Sequence, residues 1–190
     1  KDAVDPVEVL AAFGGFEIAM MVGLMLVAGS KRHLLIVDGV HGFGVENVDA
    51  ASLGADFFVA SCHKWLLAPR GTGVVWGRAD AWPAIRPTIP NFDPDGEAAF
   101  GAWIERSPLP PTRAAFVSPG GFIAYEHQFA IADAIAFHLA LGRARIAARI
   151  HELNGQIRDG LAKIPGVTLH TPLDGRLAAG INCFEVAGVA

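Results

Sequence analysis

Two short apolar runs, each followed at once by polar groups, constrain the fold of this chain most. The first covers residues 34–37 and ends at Asp38; the second covers residues 57–60 and ends in Ser61-Cys62-His63-Lys64. Runs of this length and composition predict buried β-strands. Ligands of open α/β sheets bind outside the carboxyl ends of the strands. An acid, a histidine and a lysine at those ends therefore predict a functional site.

The segments around these runs predict an α/β layer architecture. Strands are predicted over 34–38, 57–61 and 73–76, with a short helix over 48–53 between the first two. The Gly71-Thr72-Gly73 turn favours a hairpin, so we expect one antiparallel strand in a mostly parallel sheet. Upstream, residues 6–13 and 17–29 have helix-like apolar content. The longest apolar stretch, 18–28, predicts a buried helix, being shorter than the roughly 20 residues that cross a bilayer.

The second half of the chain predicts a long loop followed by two helices and a small domain. Between Pro83 and Pro119, eight prolines exclude long regular elements. A loop of this length in a compact domain is usually functional or disordered. Helices are predicted over 122–141 and 143–164, and strands over 167–170 and 181–186. We therefore predict that residues 1–119 belong to a large domain and that 120–190 hold interdomain helices and an incomplete small α+β domain.

Composition bounds the kind of protein. The 190 residues are 52% hydrophobic and 18% charged, with a formal net charge of -4. This apolar content favours a large core or an oligomer interface. Lysines and arginines are scattered, which argues against a nucleic-acid partner, and no membrane segment is predicted. Two cysteines far apart predict no disulfide framework, and a cytoplasmic location is expected. The first residue is not Met and the last follows an apparent strand, so we expect a piece of a longer polypeptide.

Lys64 and Asp38 are the candidate catalytic pair. A lysine amine at a strand end can form a Schiff base with an aldehyde cofactor, of which pyridoxal 5′-phosphate (PLP) is the obvious case. A carboxylate opposite the pyridine nitrogen would keep that ring protonated. Each residue also has a simple structural interpretation, a surface lysine opening a loop and an aspartate turning the chain. Spacing alone does not separate the alternatives; the occurrence of both residues together favours the site.

Three further residues complete the candidate site. His41 could hydrogen-bond the phenolic oxygen of the cofactor, or it could be a loop histidine bonded to the backbone. Ser61 and His63 are candidates to bind the cofactor phosphate. A metal site of Asp38, His41 and His63 is an alternative, although no metal-binding helix signature is present. A serine hydrolase and a nucleotide-binding loop are disfavoured, because no Gly-x-Ser-x-Gly, Walker A or Gly-x-Gly-x-x-Gly pattern occurs.

The motifs resemble those of a known family. The stretch from Asp38 through His41, the Ser61-Cys62-His63-Lys64-Trp65 motif and Pro69-Arg70-Gly71-Thr72-Gly73 resemble the class V aminotransferase superfamily of PLP-dependent enzymes, and most closely its isopenicillin N epimerase-like members. The match is tight over about residues 34–77. The resemblance implies a three-layer αβα large domain of the PLP-dependent transferase type.

The resemblance also implies roles and partners. Lys64 corresponds to the Schiff-base lysine and Asp38 to the partner of the pyridine nitrogen. His41 corresponds to the residue near the phenolic oxygen of the cofactor, and Ser61 and His63 correspond to residues that contact its phosphate. The implied function is aminotransfer or epimerisation of an amino acid or amine by a homodimer. A cysteine desulfurase is disfavoured because Cys62 and Cys183 both look structural. The alternative is a catalytically incompetent fragment or an association domain; a metal-dependent hydrolase is less favoured.

Overall fold

A four-stranded sheet organises the first part of the molecule. The computed structural model describes residues 33–92, 94–117 and 124–189, together with the backbone of 21–26. The strands are β1 (Met21–Leu26), β2 (His33–Asp38), β3 (Phe57–Ser61) and β4 (Gly73–Gly77), and they lie side by side in chain order. A 3-10 turn, Ala50–Leu53, lies between β2 and β3, where a short helix was predicted.

One pairing of this sheet is parallel and two are antiparallel. β2 pairs with β3 in parallel, whereas β1 pairs with β2 and β3 with β4 in antiparallel fashion. The predicted hairpin between β3 and β4 is confirmed, with Ser61 opposite Gly73. The expectation of a mostly parallel sheet is wrong for the described strands. The parallel pair is the one that matters for the site, because it brings the carboxyl ends of β2 and β3 to the same edge.

Strand β1 corrects a sequence prediction. The apolar stretch around it was predicted to be a buried helix, but Met21–Leu26 pairs along the whole length of β2, from Met21 opposite Asp38 to Leu26 opposite His33. A short apolar run suits a buried strand and a buried helix equally well, since both surround the chain with apolar neighbours. The hydrogen bonds offered by the free edge of β2 decide between them. The helix predicted over 6–13 lies outside the described residues.

Both faces of the sheet are covered. Val37, Phe58 and Ala60 point to one face, where Phe43 and Leu53 pack against them. Leu34 and Phe57 point to the other face and pack with Trp82, whose ring meets Phe57 edge-on at 5.1 Å between centroids. Alternate residues of one strand thus enter different cores, as a buried sheet requires. The predicted α/β class is confirmed.

The proline-rich segment contains more helix than expected. Helix α1 (Glu97–Ile104) makes two turns between Pro94 and Pro108, and α2 (Ala114–Val117) makes one. Proline excludes helix interiors but not short helices between prolines. The Asn91 amide nitrogen donates to the Phe116 carbonyl oxygen at 3.0 Å, which ties α2 to the loop before α1.

Two helices and a small hairpin complete the fold. Helix α3 (Tyr125–Leu141) and helix α4 (Arg143–Leu161) are separated by Gly142, whose φ of +88° suits glycine. Strands β5 (Val167–Leu169) and β6 (Phe184–Val186) pair antiparallel. These elements confirm the predicted order and kind, with ends up to three residues shorter. No helix of the described residues is long and apolar enough to cross a membrane. The predicted domain boundary at residue 119 stays a prediction.

Candidate functional site

The chain folds back sharply after Asp38. The Gly39 amide donates to the Val59 carbonyl oxygen at 2.8 Å, which carries the ladder with β3 one residue past the strand. One helical turn follows, in which Phe43 N–H donates to the Gly39 carbonyl oxygen. The turn requires glycine at position 39, because a Cβ there would overlap the Phe58 ring. The Asp38 Oδ1 accepts the Val40 N–H at 3.1 Å, so the carboxylate is fixed at the strand end.

A second tight turn presents Lys64. The Cys62 amide donates to the Thr72 carbonyl oxygen at 3.0 Å, after which the chain leaves β3. The turn closes through the Leu67 N–H, which donates to the Lys64 carbonyl oxygen at 3.2 Å. Leu67 adopts a φ of +63°, an unusual value for a residue with a Cβ. Residues with strained backbone cluster at functional sites, so Leu67 supports the Lys64 turn as part of a candidate site.

Gly44 holds the two turns against each other. Its φ is +85°, and a Cβ at this position would lie 2.8 Å from both the Leu66 nitrogen and the Trp65 carbonyl carbon. The loop after β2 therefore lies directly on the backbone that follows Lys64. Only glycine permits this approach, since backbone atoms cannot rotate away as side chains can.

Lys64 and His41 meet between these turns. The Lys64 Nζ lies 3.0 Å from the His41 Nε2, and the Trp65 indole N–H donates to the His41 Nδ1 at 3.4 Å. Burial lowers the pKa of His41, the Lys64 charge lowers it further, and the Asp38 carboxylate opposes both. His41 is therefore a neutral imidazole near neutral pH. The Asp38 carboxylate at the end of β2 thus acts electrostatically on the same histidine that contacts Lys64.

Asp38 and Ser61 line a cavity on one face of the sheet, with a volume of about 1110 Å³. The Ser61 Oγ is buried and has no hydrogen-bond partner among the described residues. A buried hydroxyl without a partner is costly unless a ligand completes it. His41, His63 and Lys64 do not line this cavity. Four of the five predicted residues thus fall into two groups, Asp38 and Ser61 at the cavity and His41 and Lys64 at the turn.

His63 remains separate from both groups. Its side chain is exposed and makes no hydrogen bond or ion pair with the described residues. Its role at the phosphate stays a prediction. Thr72 is buried and its hydroxyl donates to the Pro69 carbonyl oxygen at 2.6 Å. Among the described residues no group of three or more His, Cys, Asp or Glu side chains could hold a metal ion, so Asp38, His41 and His63 do not form one.

Sequence reasoning missed the cavity wall contributed by distant segments. Asn91, Tyr125 and Gln128 line the cavity beside Asp38 and Ser61. They come from the proline-rich segment and from the start of α3, and no motif marks them. Trp65 belongs to the lysine motif, but its value as a donor to His41 depends on the packing of two turns, which no spacing rule reveals.

The donor set suits PLP in kind. A carboxylate suits the pyridine nitrogen of PLP, and a primary amine suits its aldehyde. A neutral imidazole suits the phenolic oxygen, and a buried hydroxyl without a hydrogen-bond partner suits the phosphate. The unpartnered Ser61 Oγ is the observation that tests this fit, since it offers a hydrogen bond with nothing in the described chain to receive it. The chemical groups of Asp38, Lys64, His41 and Ser61 therefore fit the cofactor in kind, and the role of each residue stays a prediction.

Two curated relatives match this chain within longer proteins. The isopenicillin N epimerase of Streptomyces clavuligerus is 31% identical over 159 residues, which cover 80% of this chain and 38% of that protein. A probable cysteine desulfurase of Vibrio cholerae is 30% identical over 144 residues, covering 74% of this chain and 33% of that protein. The chain thus spans less than half the length of these relatives.

Solved structures share the fold. A cysteine desulfurase from Thermococcus onnurineus superimposes with a TM-score of 0.64 at 23% identity, covering 81% of this chain and 37% of that one. A second neighbour, a lyase variant with glycine covalently linked to its PLP cofactor, has a TM-score of 0.59 at 19% identity and covers 76% of this chain and 36% of that one. The predicted PLP-dependent transferase-like fold is confirmed.

A family model identifies the chain. The model described as aminotransferase class-V matches residues 17–190, most of the sequence. This match and the cofactor-bound neighbours indicate pyridoxal 5′-phosphate as the cofactor. It confirms the resemblance carried by the Asp38 and Lys64 motifs. The chain belongs to the class V aminotransferase family.

Proposed function

We propose that this chain carries the cofactor-holding half of a PLP-dependent enzyme that acts on an amino acid or amine through Lys64. The observation that carries the proposal is the 3.0 Å contact between the Lys64 Nζ and the His41 Nε2, beside the fixed carboxylate of Asp38. In this proposal Lys64 holds the aldehyde carbon of the cofactor, Asp38 its ring nitrogen and Ser61 its phosphate, with His63 as a further phosphate candidate.

The proposed chemistry is the movement of a proton at the α-carbon of the substrate. Bound PLP supplies an electron-withdrawing ring that accepts the electron pair left when a bond at that carbon breaks. The Lys64 Nζ, once free of the cofactor, is a base that can accept the proton. The neutral imidazole of His41 is within hydrogen-bond distance of this nitrogen and can take part in its proton exchange.

We favour an epimerase-like or aminotransferase reaction over sulfur removal. The likeness to an isopenicillin N epimerase supports the first. Sulfur removal by a desulfurase needs a reactive thiolate. Cys62 does not meet this requirement, because its side chain is fully buried and burial raises the pKa of its thiol. Cys183 is exposed and lies beside β6, where its backbone N–H is bonded to the Thr171 hydroxyl.

Covalent capture of PLP tests the proposal. Purified chain is mixed with PLP, reduced with borohydride and digested, and the modified peptide is located by mass spectrometry. We expect modification at Lys64, unchanged in a Lys163→Ala control, and its loss in Lys64→Ala. Lys163 is an exposed residue past the end of α4, so it reports non-specific labelling. Labelling spread evenly over the lysines, or none at Lys64, would contradict the proposal.

Exchange at the α-carbon separates the candidate reactions. The PLP-loaded protein is incubated with a panel of amino acids in D2O and followed by proton NMR. Loss of the α-proton signal with inversion of configuration indicates epimerisation, whereas formation of a keto acid indicates aminotransfer. Capture of PLP without either reaction would favour the alternative that this chain is an association domain or an incompetent fragment.

We further propose that the protein forms a homodimer in the cytoplasm. Helix α3 presents large apolar side chains to solvent, among them Phe129 and Leu139, 73% and 63% exposed. Such side chains favour an interface.

Both cysteines are free thiols, in keeping with a reducing compartment such as the cytoplasm. Sedimentation equilibrium tests the proposed homodimer, for which we expect a molar mass twice that of one chain.

A further inference from the structure

We propose that a second cavity, on the face of the sheet opposite to Ser61, binds an uncharged aromatic molecule that carries one hydroxyl group. Its volume is about 430 Å³, and residues of β3, β4, the loop after β2 and helices α3 and α4 line it. Phe58 lines this cavity and Ser61 the first one, and the two residues point to opposite faces of β3. The proposed function does not use the second cavity, so this inference does not depend on it.

The wall of the second cavity is mostly apolar and partly aromatic. Phe43 and Phe58 line it, and their rings meet edge-on at 6.1 Å between centroids. Trp76 of β4 adds a third ring, while Ile135 of α3 and Ile146 of α4 add aliphatic side chains. Aromatic ligands pack well against such rings. Because a cavity of roughly 150 Å³ can hold benzene, this one has room for a ligand of one or two rings.

One buried polar atom of the wall has no partner. His138, in the last turn of α3, lines the cavity and is only 7% exposed. Its Nε2 is buried and makes no hydrogen bond with the described residues. Burial of a polar atom without a partner destabilises the folded chain. A ligand that supplies a hydrogen bond to this nitrogen would remove that penalty.

A hydroxyl group suits the His138 Nε2 in each protonation state of the ring. This nitrogen donates when it carries a proton and accepts when it does not, and a hydroxyl group can accept or donate in turn. A carbonyl oxygen only accepts and an ammonium group only donates, so each matches a single state of the ring. The hydroxyl group is therefore the polar part that the ligand needs.

The charged side chains of the wall are already paired, which favours an uncharged ligand. The Arg143 Nη1 lies 3.0 Å from the Asp49 Oδ1, and the Arg143 Nη2 donates to the Val48 carbonyl oxygen at 2.7 Å. The Glu46 Oε1 lies 2.9 Å from the His151 Nε2. A charged ligand would find no free counter-charge among these residues, and burial of an unpaired charge is costly. A phenol meets the requirements of size, polarity and charge together.

Fluorine NMR titration of the native chain, without PLP, is the direct test. The probes are 4-fluorophenol, fluorobenzene, which lacks the hydroxyl group, and 4-fluorobenzoate, which carries a charge. We expect 4-fluorophenol to bind roughly three- to tenfold more tightly than fluorobenzene, as one hydrogen bond predicts. It should bind at least about tenfold more tightly than 4-fluorobenzoate. In chain labelled with 15N-histidine, it should also shift the His138 Nε2 signal more than fluorobenzene does.

Two variants separate the hydrogen bond from the space. His138→Phe keeps a ring and removes the hydrogen bond, so the preference for 4-fluorophenol over fluorobenzene should disappear. Ile146→Trp extends a larger side chain into the cavity from α4, so both affinities should fall roughly tenfold. Ile157→Trp is the matched control, because Ile157 lies half-exposed on α4 and does not line the cavity. Both affinities should be unchanged in this control.

Several results would overturn the inference. In the native chain these are no binding of 4-fluorophenol, equal affinity for 4-fluorophenol and fluorobenzene, or tighter binding of 4-fluorobenzoate. They need no variant, so they decide even where a variant fails to fold. A preference for 4-fluorophenol that survives in His138→Phe, or affinities unchanged in folded Ile146→Trp, would place the binding elsewhere. PLP capture by Lys64 is measured separately, and its failure would contradict the proposed function alone.

Discussion

Replacing Gly44 by alanine should separate the turns that carry His41 and Lys64. A Cβ at a φ of +85° costs about 1–2 kcal/mol in the left-handed region. The same Cβ would lie 2.8 Å from the Leu66 nitrogen and the Trp65 carbonyl carbon. Relieving this overlap by backbone movement costs a further ~1–3 kcal/mol. Reduced freedom of the unfolded chain returns about 0.5 kcal/mol. We expect a net loss of roughly 2–4 kcal/mol in the free energy of unfolding.

Gly54→Ala is the matched control for this change. Gly54 also has a positive φ, +67°, but a Cβ added there would meet no atom within 4 Å. Gly54→Ala therefore has the cost of a Cβ in the left-handed region but no close contact. The difference in the free energy of unfolding between the two variants measures the cost of the contact between the turns. Urea denaturation followed by circular dichroism gives both free energies. Equal losses in the two variants would refute the contact, and with it the structural reason why His41 reaches Lys64.

Two further perturbations test the support of the site. Asp56 is buried and accepts the Leu35 N–H at 3.0 Å while pairing with Arg78, so Asp56→Asn should cost about 1–3 kcal/mol in urea denaturation. Asp80→Asn, at an exposed partner of the same arginine, should cost less than about 1 kcal/mol; equal costs would contradict the role of burial. The pKa of His41 is lowered on folding, so its stabilising contribution is present above the unfolded value of 6.5 and is lost as the pH falls through the folded value. Between pH 7 and pH 5 the native chain should therefore lose more free energy of unfolding than His41→Gln does, and parallel curves would contradict this.

The strands that carry the site were predictable from sequence because their local and tertiary preferences agree. Residues 34–38 and 57–61 are short and apolar, and each is followed by polar or glycine residues that end the strand. Strand β1 was not predictable in the same way. Its apolar run has no period that separates strand from helix, and the free edge of β2, a tertiary feature, selects the strand. Local patterns cannot report an edge that a distant segment completes.

Sequence patterns name the candidate residues of the site, but they do not predict how these residues are grouped in space. Asp38 ends β2 and Lys64 lies three residues after the end of β3, and the occurrence of both at strand ends marks them as candidates. The contact of Lys64 with His41 depends on Gly44 lying against the Trp65–Leu66 backbone, which requires two turns to pack to within atomic contact. The cavity beside Ser61 depends on side chains from the proline-rich segment and α3. Spacing along the chain carries no information about either.

His41 is the point at which these separate contributions combine. The carboxylate of β2 raises the pKa of its ring, whereas burial and the lysine after β3 lower it. The indole occupies Nδ1, and the lysine nitrogen faces Nε2. A glutamine at this position could make two similar hydrogen bonds, but it could not exchange a proton with Lys64. In the proposed function, the histidine therefore adds proton transfer to a contact that would otherwise only hold the lysine in place.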